Sequence, residues 1–126
     1  MTPQSEALNI VLDLIEKNKH YKVISGALPQ SGGISAEITG GENKGRSLNL
    51  QHGSTDLTVL FLCKNKSHVT AFDTLCDIGN YLDRLGEVNG KTVQVTGAGI
   101  RSGAGLVSNY NGFYIYSMIA RIGIYF

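Results

Sequence analysis

FYIYSMIARIGIYF, residues Phe113 to Phe126, decides the fold. The run is rich in aromatic and β-branched residues and reads as one long strand. Successive strand side chains point to opposite faces. Phe113, Ile115, Ile119 and Tyr125 therefore line one side, and Tyr114, Tyr116, Met118, Ile122, Ile124 and Phe126 the other. Both faces are apolar, so both need cover, and a chain this short has few helices to supply it. Part of the sheet is expected to be covered by another copy or a partner, which points to assembly rather than catalysis. Arg121 sits within this apolar strand, where an unpaired charge is costly. It is expected to reach solvent or to pair at an interface.

Working outward, the 126 residues suit one domain with a core that needs no metal or disulfide staple. The chain is 42% hydrophobic and 17% charged, the composition of a globular protein somewhat poor in charge. A formal net charge of +1 argues against gripping nucleic acid as the main task. Cys63 lies in an apolar strand-like run and Cys76 on the apolar stripe of a helix, so both read as small core residues without disulfide or metal role. No apolar run is long enough to span a bilayer, and the N-terminus lacks a basic region followed by an apolar core. The expected location is the cytoplasm. Asn65-Lys66-Ser67 matches a glycosylation sequon but reads as a helix start.

Thr2 followed by Pro3 is an N-cap and first helical residue, and Leu8, Val11, Leu12 and Ile15 recur at helical spacing up to about Lys17. Val23 to Leu28 reads as a short strand before the turn cluster Pro29 to Gly33, and Ile34, Ala36 and Ile38 alternate as a strand with one wet face. Gly40 to Gly53 is expected to be a long polar loop. Thr55 to Lys64, apolar on both faces, reads as a central strand paired near the C-terminal one. Ser67 then caps a helix in which Val69, Phe72, Leu75, Cys76, Gly79, Leu82 and Leu85 step by three or four until Gly86. Asn89-Gly90 signals a turn, and Thr92 to Thr96 alternates as a half-exposed strand. The glycines from Gly97 to Gly105 predict a loop, and Asn109 to Gly112 turns the chain into the last strand. The order implies an α+β fold, a mainly antiparallel mixed sheet flanked by two helices in a single domain.

No motif carries chemistry. Gly40-x4-Gly45-Arg46-Ser47 resembles a phosphate-binding loop, but no helix follows to aim its amides at a phosphate. Gly97-Ala98-Gly99 with Gly103 resembles a dinucleotide fingerprint, but too little chain remains for a βαβ unit. His20, His52 and His68 have no metal-ligand spacing, and Asp73 with Asp77 reads as a solvated helix face. No GxSxG elbow is present. The chain is thus expected not to be an enzyme and to need no cofactor or metal. Lys44 and Arg46 in one glycine-rich segment and Arg101 in another are candidates for contacts with an acidic partner surface.

From Leu57 to Leu85, LTVLFLCKNKSHVTAFDTLCDIGNYLDRL combines an apolar strand, the polar junction Lys64 to Ser67 and an alanine-bearing helix ending in Asn-Tyr-Leu. In this pattern, and in its final turn and strand from Asn109 to Phe126, the chain resembles the tail terminator proteins of long-tailed bacteriophages, often labelled minor capsid proteins and also found in phage-tail-like bacteriocins. The glycine-rich stretch Gly97 to Gly105 departs from that pattern. The resemblance implies a ring, of six subunits, that caps the head-proximal end of the tail tube. Such a ring stops tube polymerisation and presents a surface to head-completion proteins. Its partners would be further copies of itself, the tail tube protein and a head-completion or connector protein, with neither nucleic acid nor membrane as a main partner. It would assemble in the bacterial cytoplasm and remain in the particle. In a cyclic ring each subunit uses two different patches, so sheet-edge and strand residues are expected at subunit contacts. The candidates are Lys44, Arg46, Arg101 and Asn109 for docking, and Tyr114, Tyr116 and Arg121 for ring packing. Another neck or connector protein of similar fold, a small hydrolase or nucleotide-binding protein, and a nucleic-acid-binding module are the alternatives.

Overall fold

Helix α1, Pro3–Lys19, begins as its first residues dictate. The Thr2 side chain accepts the Ser5 amide at 3.1 Å, and Pro3 occupies the first turn, where its missing N–H costs nothing. It ends at His20, which adopts the left-handed conformation and donates its amide to the Glu16 carbonyl. Helix α2, His68–Asp83, is capped by Ser67, whose hydroxyl accepts the Thr70 amide at 3.3 Å. The computed structural model describes residues 2–46 and 53–126, with the backbone alone for 41–46 and 53.

The strands are β1 (Val23–Ser25), β2 (Gly33–Arg46), β3 (Gly53–Asn65), β4 (Val88–Asn89), β5 (Gln94–Tyr110) and β6 (Phe113–Tyr125). They form one six-stranded sheet in the order β1-β2-β3-β6-β5-β4. Only β1 and β2 run parallel. The expected α+β architecture is what the chain adopts, with β3 and β6 paired at the centre. Val59 opposes Ala120 and Phe61 opposes Met118.

One face of the sheet holds the core. Leu57, Val59, Phe61 and Cys63 of β3, Met118, Ala120, Ile122 and Ile124 of β6, Ile34 and Ala36 of β2, and Val95 and Ala98 of β5 are buried there. Ala7, Leu8, Val11, Leu12 and Ile15 of α1 and Ala71, Leu75, Ile78 and Leu82 of α2 join the same cluster, so both helices cover this face. Gly79 lets α2 sit close to the sheet, because a methyl there would lie 2.6 Å from Ile100 Cδ1 and 3.0 Å from Met118 Sδ. Val69 and Phe72, expected on the apolar stripe of this helix, are exposed instead, 54% and 42%.

Two segments expected to be loops are strand over their described residues. The segment from Gly40 continues β2 to Arg46, and β3 already starts at Gly53, so the phosphate-loop resemblance falls on strand from Gly40 to Arg46; residues 47–52, Ser47 and His52 included, lie outside the described part. The glycines from Gly97 to Gly105 lie within β5, paired to β6 with register shifts at Val95/Gly97, Ile100/Ser102 and Ser102/Gly105. Gly97, Gly99 and Gly105 are themselves paired with β6, and only Gly103 falls within a shift, so these glycines neither end the strand nor account for most of its bulges. Boundaries also move: α1 runs to Lys19 rather than about Lys17, β1 stops at Ser25 instead of Leu28, α2 ends at Asp83 rather than Leu85, β5 starts at Gln94 instead of Thr92, and β6 ends at Tyr125 rather than Phe126. Among the described residues no helix is long and apolar enough to cross a membrane.

Candidate interaction surface

The face of the sheet away from the helices is built from alternate residues of the central strands. Thr58, Leu60 and Leu62 of β3 and Phe113, Ile115, Ser117, Ile119 and Arg121 of β6 stand there, all only partly buried. Leu60 opposes Ile119 and Leu62 opposes Ser117. Among the described residues no helix packs over this apolar centre.

At one end of the same face a charged cluster replaces the apolar residues. Asp56 of β3 is 8% exposed, and its carboxylate is held by Arg121 Nη1 at 3.5 Å and approached by Arg101 Nη2 at 3.9 Å. Room for it comes from Gly123, which faces Asp56 across the ladder, since a methyl there would lie 2.8 Å from Thr96 Oγ1 and 3.3 Å from Asp56 Oδ1. Two candidate residues, Arg101 and Arg121, are thereby brought together on one carboxylate of their own chain. Arg121 finds its pairing inside the subunit as well as reaching solvent. The sequence signal for the cluster was weak, because Asp56 is remote from both arginines along the chain.

The remaining candidates are dispersed. Tyr114 rests against His68 with ring centroids 5.4 Å apart, and Tyr116 meets Phe72 edge-on at 5.9 Å, so both tyrosines lie beneath the first turns of α2. Asn109 is exposed on β5 opposite Tyr114. Lys44 and Arg46 belong to β2, with side chains outside the described part. Asp77, read as solvated, ties the two helices together by accepting the Tyr21 hydroxyl at 2.9 Å and pairing with Lys19 at 3.3 Å.

Beyond the candidates, Lys64 and Lys66 place their ammonium groups 4.8 and 5.7 Å from the centre of the Phe113 ring, favourable cation–π distances. The ring and Lys64 border two shallow hollows of about 260 and 420 Å³, lined also by Ser31, Asn65 and Asn111. These groups offer polar and cationic contacts at the end of the sheet where β5 turns into β6. Burial pushes the Cys63 thiol up to about 11, which leaves it protonated and unreactive at neutral pH. Among the described residues no three His, Cys, Asp or Glu side chains are grouped to hold a metal ion. The chain matches no protein-family model and no curated protein.

Proposed function

We propose that this chain is a subunit of a ring that caps the head-proximal end of a phage or phage-like tail tube, a tail terminator that works by shape. The observation that carries the reading is the half-buried apolar centre of the sheet face on which no helix packs among the described residues, Leu60, Leu62, Ile115 and Ile119, with α1 and α2 both committed to the other side. Such a surface is stabilised by a partner that removes it from water. The near-neutral charge leaves little long-range repulsion between like copies. The resemblance of the Leu57 to Leu85 segment then names the kind of assembly. On this reading Asn109, Lys44 and Arg46 meet the tube or the head-completion protein, while the Asp56, Arg101 and Arg121 cluster orders the rim of the subunit contact.

Deleting this reading frame from its phage or prophage and measuring tails by electron microscopy tests the proposal. Headless tubes of uncontrolled length are expected. Tails of normal length would eliminate termination and bring head joining or an unrelated role forward.

A further inference from the structure

The outer edges of the sheet are shorter than the strands they cover. Strand β1 pairs only with Ile34, Ser35 and Ala36 of β2, and β4 only with Gln94 and Val95 of β5. The Ile100 amide of β5 is satisfied by Asp83 Oδ1 at 3.0 Å. Among the described residues this leaves Glu37–Arg46 of β2 and Thr96–Tyr110 of β5 with no strand on their outer side, the latter clear of the Asp83 contact from Ser102 onward. Unpaired edges of this length template the addition of another strand, and proteins usually guard them with lysine, proline or inward charge. Ser102–Tyr110 contains no charged residue and no proline, whereas Glu37–Arg46 carries Glu37, Glu42, Lys44 and Arg46, so the β5 edge is the unguarded one. Its side chains Leu106, Val107 and Tyr110 are 56%, 58% and 67% exposed.

We propose that the β5 edge of one copy pairs with the β2 edge of the next, so that the sheet continues from subunit to subunit; this deepens the ring reading above and rests on it. Three observations select this occupant. First, direction: β2 is antiparallel to β3, β3 to β6 and β6 to β5, so β2 and β5 of one sheet run oppositely. A neighbour placed in the same orientation therefore meets β5 with an antiparallel β2, the relation of every other long pair in the molecule. Second, length: Glu37–Arg46 and the part of β5 beyond the Asp83 contact, Ser102–Tyr110, match to within a residue. Third, closure: pairing like edges about a two-fold stops at a dimer and leaves the other edge open, whereas β5 on β2 satisfies both edges of every subunit in a cycle.

The register also fixes how neighbours are offset. Glu37, Leu60, Ile119 and Ser102 form one row across the sheet, and the open part of β2 extends from that row in one direction while the open part of β5 extends in the other. Measured along the ladder, with the bulged residues set aside, bringing them together slides each copy about six or seven residues, or ~20–24 Å, along the strand direction relative to the last. The strands of the ring are consequently inclined to its axis, as stagger requires in any closed sheet.

Sedimentation velocity over a concentration series, followed by hydrogen–deuterium exchange on the monomeric and assembled fractions, tests this. The amides of Glu37–Arg46 and Ser102–Tyr110 are expected to exchange about tenfold or more slowly together in the assembled fraction. Leu106→Lys with Val107→Lys, both at exposed positions, is expected to leave a folded monomer. Assembly with protection elsewhere but not in these two segments overturns edge pairing and leaves the ring reading standing. Protection of the β5 segment alone overturns the β2 assignment in favour of a two-fold pair. A chain that stays monomeric at every concentration overturns edge pairing, while the tail-length experiment still decides termination independently.

Discussion

Gly32 ends the tight return between the parallel strands β1 and β2, a connection far shorter than the dozen or more residues such a crossover usually takes. Its φ of 98° suits glycine, and a methyl there would lie 3.0 Å from the Lys64 carbonyl oxygen. Gly32→Ala should therefore cost about 1–3 kcal/mol in urea unfolding. Gly86→Ala, at a position with nothing within 4 Å, serves as the control and should change little. Cysteine chemistry tests the same scale. With Cys63 buried and its thiol pushed to about 11, a disulfide reagent at pH 8 should modify only Cys76 in the folded protein. Rapid modification of both thiols would show that β3 is less enclosed than described here. Both residues read as core in the sequence, but only packing separates the buried thiol from the half-buried one.

At the scale of elements, α1 is tied to the turn before β5 by Glu6, whose carboxylate accepts the Thr92 hydroxyl at 2.7 Å and the Thr92 and Lys91 amides at 2.9 and 3.0 Å. The hydroxyl bond, then the amide bonds, hold its pKa below the ordinary 4.5. The unfolded chain thus takes up this proton at higher pH than the folded one. The stabilisation is complete above the unfolded value and drains away as pH falls through the folded value. Glu6→Gln should flatten that acid limb of the stability curve in thermal melts at descending pH, with little further change in slope near neutrality. The second tie is Asp56 with Arg121 between β3 and β6. Arg121→Glu alone should destabilise the subunit by about 1–2 kcal/mol, since it opposes two carboxylates on one face, and Asp56→Lys in the same chain should recover part of the loss. Recovery of nothing would mean that Arg121 acts elsewhere. The residue types signal a turn near here, but it falls between Gly90 and Val93 because Asn89 pairs with Gln94 in β4; its fastening to Glu6 was not readable, because the partners are 85 and 86 residues apart.

For the molecule as a whole, Leu60→Lys with Ile119→Lys places two like charges opposite each other on the uncovered face without touching the core. With copies joined at their edges, this face is left for the tube or head-completion protein. Loss of attachment to tail tubes is therefore expected with the fold retained by circular dichroism, whereas unchanged attachment would remove this face from the interface. The sequence alone determined the two helices, through caps at Thr2 and Ser67 and apolar residues at helical spacing, and the central strands, through their two-faced apolar runs. Those signals are local, set by periodicity and hydrogen bonding within a few residues. Tertiary structure decided what pairing over distance controls: that the glycine-rich segment of β5 is a continuous, bulged strand because β6 lies beside it, that both helices choose one face, and that Arg101 and Arg121 converge on Asp56. Residues remote along the chain share a row only after the ladder forms, so no local pattern encodes them.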